Sequence, residues 1–219
     1  MKTEELFLTN DSIAIDLIRK YEYPFMILPH IKDYIIELGK TLNEDYELKG
    51  ENIWIHKTAK IATNASINGP CIIDQFAEIR PGAFIRGSAI IGKKCVFGNS
   101  CEIKNSIIFD NSQVPHFNYI GDSILGSHSH MAAGSITSNL KIDGKNIVIK
   151  NDHESIETNM RKIGAFLGDH VEVGCNCVLN PGTIIGPYTI IYPLTSVRGV
   201  ISSKSVVKSM NNIVERRDN

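Results

Sequence analysis

The sequence lacks the short motifs that mark the most common nucleotide-binding and hydrolytic sites. No GxGxxG, P-loop, GxSxG or HExxH pattern occurs in its 219 residues, which removes the usual nucleotide-binding and hydrolase classes. No segment reaches the roughly 18 consecutive apolar residues needed to span a bilayer. The acidic start, MKTEELFLTNDS, has no apolar core of a signal peptide. We therefore expect a cytoplasmic protein with no membrane partner.

An excess of charge and a paired cysteine motif are lacking as well. The net charge is −1, so no overall field favours nucleic acid or an anionic membrane as a partner. The five cysteines are odd in number and include no CxxC pair. We expect reduced thiols, most of them small buried hydrophobes, because free cysteine is often buried. A zinc or redox site built on them is not expected.

What the sequence does contain is a six-residue repeat. Large apolar residues recur at every sixth position from Ile55 to Phe109, and again from Leu167 to Val197. This period is typical of a parallel β-helix, in which three hexads close one triangular coil of about 18 residues. Coils stack about 4.8 Å apart, so the repeated residues form a continuous interior. The sequence therefore predicts an all-β solenoid.

The chain divides into segments with different patterns. Residues 1–50 predict short helices, because their apolar residues have helical spacing. Residues 51–200 carry the hexads, which residues 138–166 interrupt with a long loop that contains a possible hairpin strand. Residues 201–219 predict a C-terminal helix with five apolar residues on one face, namely Val206, Val207, Met210, Ile213 and Val214.

One carboxylate and one histidine have a spacing that suits a general base. Glu102 and His116 are separated by somewhat less than one coil, which allows them to lie on nearby parts of adjacent coils. A carboxylate at one ring nitrogen fixes the tautomer and raises the basicity of the other nitrogen. That nitrogen can then take a proton from an attacking amine or hydroxyl. The alternative is a surface histidine that makes an ordinary hydrogen bond.

Two cations are candidates for binding a phosphate. Arg80 precedes a predicted corner, and Lys104 follows it by four hexads, so both are expected to face the same side groove. Arginine suits bidentate phosphate binding, although a solvated corner residue is the alternative. His128 and His130 lie two residues apart on one strand face, but a zinc site needs a third ligand. No metal is expected.

The stretch PHFNYIGDSILG at residues 115–126, followed by SHSHMAAGSITSNL, resembles a known family. The similarity is to the acetyltransferase domain of bifunctional glucosamine-1-phosphate acetyltransferase/N-acetylglucosamine-1-phosphate uridyltransferase, in its archaeal and stand-alone types. The segments RPGAFIRG, NSCEIKNS and RKIGAFLGDHVEVGCNCVLNPGTIIGP extend it over roughly residues 50–200. The resemblance implies a left-handed parallel β-helix, a homotrimer and acetyl-CoA as the co-substrate.

The resemblance also implies roles for individual residues. His116 corresponds to the catalytic base and Glu102 to the carboxylate that orients it. Substrate-binding positions correspond to Arg80, Lys104, Tyr119, His130, Asn139 and Lys145, with Lys162 as a rival for the loop lysine. The family has an asparagine at the position of His130, so the acceptor sugar of this protein need not be glucosamine-1-phosphate. Positions that line the coenzyme A groove correspond to Ala133, Cys175 and Pro193.

The function expected from this resemblance is an acetyl-CoA-dependent N-acetyltransferase. Its acceptor is expected to be an amino-sugar phosphate such as glucosamine-1-phosphate, or a sugar-nucleotide precursor for the cell envelope. No uridyltransferase activity is expected, since that domain needs about 200 further residues. Two alternatives remain. One is a non-catalytic, regulatory hexapeptide module that binds a sugar nucleotide, and the other is a carbonic-anhydrase-like metalloenzyme.

Overall fold

The structure, a computed structural model, describes residues 1–150 and 155–217. Three sheets, here called faces A, B and C, are visited in turn by the chain, so each face takes one strand from each successive coil. Face A consists of β1 (Tyr46–Gly50), β2 (Ile53–His56), β5 (Cys71–Ile73), β8 (Ala89–Ile91), β11 (Ser106–Ile108), β14 (Ile124–Leu125), β19 (Ala165–Leu167), β22 (Thr183–Ile185) and β25 (Val200–Ile201).

The other two faces are built in the same way. Face B consists of β3 (Lys60–Ile61), β6 (Glu78–Ile79), β9 (Val96–Asn99), β12 (Gln113–His116), β15 (His130–Met131), β20 (Glu172–Val173), β23 (Ile190–Ile191), β26 (Ser205–Ser209) and β27 (Asn212–Glu215). Face C consists of β4 (Ser66–Ile67), β7 (Phe84–Ile85), β10 (Glu102–Lys104), β13 (Tyr119–Gly121), β16 (Ile136–Thr137), β21 (Val178–Leu179) and β24 (Ser196–Val197). All pairs within these faces are parallel except β1 with β2 and β27 with β26.

The interior follows from the hexads. Nearly every short strand points an apolar residue inward, as Ile73, Ile79 and Ile85 do with at most 1% of their surface exposed, whereas Thr137 is the inward residue of β16. These residues belong to one core that runs from Ile55 to Val207. The predicted fold class, an all-β solenoid of the left-handed parallel β-helix type, is confirmed.

The register of the hexads slips earlier than the sequence pattern suggests. Ile108, not Phe109, follows Ile103 in the interior core. The tenth position of the predicted register is therefore wrong, because Phe109 points outward and stacks on Phe7 with ring centroids 4.9 Å apart. The step from face C to face A is one residue shorter here than a full hexad. This coil is consequently one residue short as well, and Glu102 lies opposite Tyr119.

The outer surface of face A is apolar and is covered by the N-terminal segment. This segment contains α1 (Thr3–Leu6), α2 (Ile15–Ile18), a 3₁₀ helix (Pro24–His30) and α3 (Ile31–Gly39), so the predicted helical character is confirmed as far as Gly39. The predicted helical segment of residues 1–50 is wrong at its end, where residues 46–50 form the strand β1. Its apolar residues belong to one outer core with the outward residues of face A, which are Trp54, Ile72, Ile90, Ile107, Ile124, Phe166, Ile184 and Val200.

A buried carboxylate ties this segment to the solenoid. The side chain of Asp169 accepts hydrogen bonds from the backbone N–H groups of Leu8 at 2.8 Å and Thr9 at 3.1 Å. It also accepts one at 2.8 Å from the N–H of Ser127 in the solenoid. Burial raises the pKa of Asp169 despite these three donors. None of the helices in the described ranges is long and apolar enough to cross a membrane.

The predicted C-terminal helix is wrong. Residues 205–215 form the antiparallel hairpin of β26 and β27, in which Val206 pairs with Val214 and Val207 with Ile213. Ser205 and Val207 point inward and continue face B, whereas Val206 is less buried. This alternation has the period of a strand, and β-branched valine suits a strand better than a helix.

The predicted loop leaves the solenoid after β16 and returns before β19. It contains the hairpin of β17 (Val148–Lys150) and β18 (Ser155–Glu157), in which Ile149 pairs with Ile156. A strand was expected at this place. Ile147, Ile149 and Ile163 of the loop are buried in the same outer core as the N-terminal helices. The loop is therefore anchored beside face A rather than extended into solvent.

Replacing Phe109 with alanine tests the outer core. Phe109 is fully buried, so we expect Phe109→Ala to lower the free energy of unfolding by about 3–5 kcal/mol. Urea denaturation followed by circular dichroism measures this change. Ile142, whose side chain is fully exposed, provides the matched control, and Ile142→Ala should change the value by less than about 0.5 kcal/mol. Equal effects of the two variants would show that the N-terminal segment is not packed as described.

Candidate active site

The corner between faces B and C holds a column of residues from successive coils. Backbone hydrogen bonds define it, for example Gly134 N–H to His116 O at 3.1 Å and Asn176 N–H to Ala133 O at 2.9 Å. We call it the B–C column, and its members are Pro81, Asn99, His116, Ala133, Cys175 and Pro193. The candidate base and the three candidate coenzyme-groove residues are remote in sequence but stacked along one edge.

A buried amide fixes the corner at His116. The side-chain oxygen of Asn118 accepts a hydrogen bond from the His116 N–H at 3.1 Å. Its nitrogen donates to the carbonyls of Ala132 and Ser135, both at 2.9 Å. Asn118 is only 3% exposed, so each of these bonds is shielded from water. Asn118 was not predicted as a site residue from the sequence, although an asparagine next to a corner is a common turn signal.

The His116 ring itself is open to a ligand. Its side chain is exposed and makes no hydrogen bond to any residue within 1–150 or 155–217. The next residue, Phe117, has a φ of 52° and is 62% exposed. The left-handed backbone at Phe117 turns the chain from face B to face C and leaves His116 at the apex.

Glu102 does not pair with His116, in contrast to the expectation. Its Oε1 accepts a hydrogen bond at 2.7 Å from the guanidinium of Arg86. The cause is the register, because Glu102 lies opposite Tyr119 on face C, while His116 lies opposite Asn99 at the corner. The separation of Glu102 and His116 falls short of one full coil, so the two residues belong to different faces. The role of Glu102 as an orienting carboxylate stays a prediction.

Three candidate substrate residues do come together at the edge between faces C and A. Asp122 joins them, since its carboxylate lies 2.9 Å from Lys104 Nζ and accepts a hydrogen bond from Asn139 Nδ2 at 2.5 Å. Asn139 also donates to the Tyr119 hydroxyl at 3.2 Å. We call Arg86, Lys104, Tyr119, Asp122 and Asn139 the C–A cluster. Asp122 was not foreseen from the sequence, although it belongs to the quoted stretch.

Arg80 lies apart from this cluster. Its Nε donates to Glu78 Oε1 at 2.8 Å on face B. Three hexads make one coil, so the four hexads between Arg80 and Lys104 are one coil plus one further face. Lys104 therefore lies at the next edge of the solenoid and not above Arg80. Arg86 lies one coil before Lys104, as the parallel register of β7 and β10 shows. The structure therefore does not bring Arg80 and Lys104 to one side groove, and Arg86 is the cation that adjoins Lys104.

Electrostatics keep the Tyr119 hydroxyl protonated. Burial raises its pKa, and the negative charges of Asp122 and Glu102 raise it further. A phenol in this state can donate a hydrogen bond to an oxygen of a ligand. The pKa of Arg86 is raised by its hydrogen bond to Glu102, so the guanidinium remains charged.

The remaining candidate substrate-binding residues lie outside both the B–C column and the C–A cluster. His130 is on face B, where its Nδ1 is 2.9 Å from Glu172 Oε2. Lys145 and Lys162 are exposed on the loop, and neither side chain forms an ion pair or hydrogen bond with another described residue, so the choice between them stays open. Within the two described ranges, no three histidine, cysteine, aspartate or glutamate side chains are placed to hold a metal ion.

Comparisons with known proteins agree with the resemblance to the acetyltransferase domain of the bifunctional enzymes. A family model described as the GMPPB C-terminal domain matches residues 67–160. A bifunctional sugar-1-phosphate nucleotidylyltransferase/acetyltransferase from Sulfurisphaera tokodaii is 36% identical over 151 residues, which are 61% of this chain and 38% of that protein. The bifunctional protein GlmU of Methanococcus aeolicus is 36% identical over 153 residues, which are 62% and 37%.

The chain thus spans less than two-fifths of the length of these curated relatives. Among solved structures, the polySia-specific acetyltransferase NeuO matches with a TM-score of 0.42 and 17% identity, over 74% of this chain and 77% of that one. A mutant of AntD, an N-acyltransferase from Bacillus cereus solved with dTDP and coenzyme A, has a TM-score of 0.38 and 15% identity, over 77% and 82%. The fold defines a hexapeptide β-helix protein, and its coils resemble the acetyltransferase region of the bifunctional enzymes.

Thiol labelling tests the position of Cys175. Cys175 is exposed, whereas Cys71, Cys95, Cys101 and Cys177 are buried. Burial raises the pKa of the Cys71 thiol to about 12, so that thiol is also protonated at neutral pH. We expect a chromogenic disulfide reagent to label one thiol per native chain at pH 8 and five in denaturant. Cys175→Ser should abolish the native reaction, and rapid labelling of two or more native thiols would contradict the described interior.

Proposed function

We propose that the protein is an acetyl-CoA-dependent N-acetyltransferase that acts on an amino-sugar phosphate such as glucosamine-1-phosphate. The observation that carries the proposal is the B–C column, because it stacks an accessible histidine directly beneath three small or apolar residues. Such an edge suits the narrow pantetheine chain of coenzyme A, whose thioester would reach His116. The sequence similarity to the bifunctional acetyltransferases supports the same donor.

The acceptor follows from the charges of the C–A cluster. Arg86 and Lys104 are cations one coil apart, and their carboxylate partners, Glu102 and Asp122, hold them in place. A phosphate group of the acceptor would bind to this pair, since arginine and lysine both suit phosphate. The Tyr119 hydroxyl can donate to a sugar oxygen, and Asn139 Oδ1 can accept from a sugar hydroxyl, since Asn139 Nδ2 already donates to Tyr119 and Asp122. Sugar nucleotides carry the same phosphate chemistry and are an equivalent precursor class.

The chemistry is direct acyl transfer. The acceptor amine attacks the thioester carbonyl carbon while the free ring nitrogen of His116 takes its proton. The Ala133 N–H, which has no hydrogen-bond partner among the described residues, is available for the oxyanion. The C–S bond then breaks, and the coenzyme A thiolate leaves and recovers the proton from His116. Most of the acceleration comes from holding amine and thioester together.

A homotrimer completes the proposed site. Three large apolar or aromatic side chains at or next to the B–C corner are exposed. Their exposed fractions are 62% for Phe117, 80% for Leu194 and 44% for Tyr192. Burial of this edge against another subunit would remove apolar surface from water and place the coenzyme between subunits. We further propose that the trimer acts in the cytoplasm on cell-envelope precursors.

A second candidate is a non-catalytic module that binds a sugar nucleotide. One observation favours it, because the carboxylate that was expected to orient His116 is paired with Arg86 instead. Such a module needs the C–A cluster but not the B–C column. Calorimetric titration separates the two functions, since a sugar-nucleotide sensor should not bind acetyl-CoA.

Release of coenzyme A measures the proposed reaction. With acetyl-CoA and glucosamine-1-phosphate, the wild type should release coenzyme A, and His116→Ala should lower kcat by about 10² to 10⁴ because it loses the general base. His128→Ala, at a different edge of the solenoid, is the matched histidine control and should keep activity. If the wild type binds the sugar phosphate but releases no coenzyme A, the enzymatic function with this acceptor fails. Full activity of His116→Ala would instead show that the base is wrongly assigned.

A pair of arginine variants tests the phosphate site. Arg86→Gln should raise KM for glucosamine-1-phosphate about 10- to 100-fold, because a charged hydrogen bond to the phosphate is lost. Arg80→Gln removes the same charge at the other edge of face C and should change KM less than about threefold. Steady-state kinetics at constant ionic strength compare the two. A larger effect at Arg80 would restore the assignment that the sequence suggested.

A further inference from the structure

A cavity of about 420 Å³ lies at the first coil of the solenoid, and we call it the end cavity. Strand β4 is the last strand of face C at this end, so its Ile67 is only half-buried, as is Ile53 of β2. Both side chains pack on the inner core, and Ile36 of α3 completes the apolar lining. The end cavity thus has an apolar floor and a volume typical of small-molecule sites.

Polar side chains without a partner surround this floor. They are Lys32, Glu51, Asn52 and Asn68, and none of them forms a side-chain hydrogen bond or ion pair with a residue in the described ranges. The carboxylate of Glu51 only accepts hydrogen bonds, the ammonium group of Lys32 only donates them, and the two amides do both. The end cavity therefore combines an apolar surface with donors and acceptors that are free for a ligand.

The end cavity continues the edge that carries the C–A cluster. The N–H of Arg86 donates to the Ile103 carbonyl at 2.9 Å, and the N–H of Asn68 donates to the Ile85 carbonyl at 2.8 Å. Ile85 and Ile103 point into the interior with none of their surface exposed, so the residues that follow them point outward. Asn68, Arg86 and Lys104 therefore lie one above another at successive coils. Asn68 is two coils, or about 10 Å, from Lys104.

Two glycines form the corner between Arg86 and the end cavity. A Cβ atom at Gly87 would lie 2.4 Å from the carbonyl oxygen of Gly69 in the coil below. Gly87 also has a φ of 98°, a left-handed conformation that side chains disfavour. The edge consequently carries no side chain at these two positions, and a ligand held by Arg86 can extend along it to the end cavity.

The groups along this edge follow the order of a nucleoside diphosphate sugar. Strand β13 with Tyr119, which is proposed to bind the sugar, lies one coil above strand β10 with Lys104. Lys104 and Arg86 follow as the proposed phosphate site, and the end cavity comes last. A nucleoside diphosphate sugar carries its sugar, its two phosphates and its nucleoside in the same order.

We propose that the end cavity binds the nucleoside of a nucleoside diphosphate amino sugar whose diphosphate binds to Arg86 and Lys104. This inference rests on the proposed function, and it names a sugar nucleotide as the preferred acceptor. The base packs on the apolar floor, and the amide of Asn68 hydrogen-bonds its polar edge. The carboxylate of Glu51 accepts hydrogen bonds from the ribose hydroxyls, a role that carboxylates have in nucleotide sites.

Calorimetric titration of the full chain tests the nucleoside site. UDP, CDP and GDP are each compared with inorganic pyrophosphate, which offers the two phosphates alone. Saturating coenzyme A is present so that no nucleotide binds to the B–C column. At least one of the three should bind about tenfold or more tightly than pyrophosphate, because base burial and hydrogen bonds add to the phosphate contacts. The proposal is overturned if none of them reaches that ratio.

Two variants locate the nucleoside. Asn68→Ala and Glu51→Gln should each weaken binding of the preferred nucleoside diphosphate about tenfold, the effect of one lost hydrogen bond, and leave pyrophosphate affinity within about twofold. Arg86→Gln should weaken both ligands. Nucleotide affinity that is unchanged in both Asn68→Ala and Glu51→Gln overturns the proposal.

Matched controls exclude a general effect of these substitutions. Asn64→Ala changes an exposed asparagine of the same coil at the opposite edge of face C, and Glu44→Gln changes an exposed glutamate ahead of β1. Neither control should alter the affinity for either ligand by more than about twofold. Equal losses in the controls and in the two cavity variants would overturn the assignment of the end cavity.

Failure of this inference is distinguishable from failure of the proposed function. If glucosamine-1-phosphate is acetylated but no nucleoside diphosphate exceeds pyrophosphate tenfold, the nucleoside site is wrong and the enzymatic function stands. If a nucleoside diphosphate binds through Asn68 and Glu51 but its glucosamine conjugate is not acetylated, the binding site stands and the acyl transfer fails. If both stand, kcat/KM for that conjugate should exceed the value for glucosamine-1-phosphate about tenfold, and Asn68→Ala should remove the difference. A lower kcat/KM for the conjugate would overturn the preference for a sugar nucleotide.

Discussion

The parallel hydrogen bonds between successive coils are the constraint on which the rest of the structure depends. They require each coil to return to the same interior with an inward residue on each face, apolar at nearly every position, whatever lies on the outside. Outward residues are therefore sorted into columns, and a column brings together residues that are remote in sequence. His116 and Pro193 share an edge for this reason, as do Arg86 and Lys104.

The N-terminal segment covers face A, and this packing determines which faces can bind ligands. Ten apolar side chains of that segment, from Leu6 to Ile35, are buried against the outward residues of face A. That face is consequently closed to a substrate or a partner. Faces B and C, their shared corner and the edge of face C that carries the C–A cluster remain open, and the accessible histidine, the stacked cations and the His130–Glu172 pair all lie there.

The sequence predicted the fold and the interior because three hexads close one coil, so the residue that recurs at every sixth position points into the interior. It located the candidate site less well, since only whole coils return a residue to the same edge. Glu102 and His116 are separated by less than a coil and Arg80 and Lys104 by more than one, so neither pair meets. The partner of His130 could not be predicted, because the loop inserts an arbitrary length between two coils. The C-terminal hairpin was mistaken for a helix because only alternation at Ser205–Val207 separates the two patterns.

The antiparallel strands at the two ends of the solenoid have a consequence for its length. A stack of parallel coils has no intrinsic end, and exposed strand edges invite further copies to add. Here β1 covers the first coil on face A and β27 covers the last coil on face B. Apart from β1 and β27 themselves, the strands at the edges of the three faces have two residues each, as Lys60–Ile61 and Ser196–Val197 do. The antiparallel strands β1 and β27 therefore disfavour growth of the β-helix into a fibre.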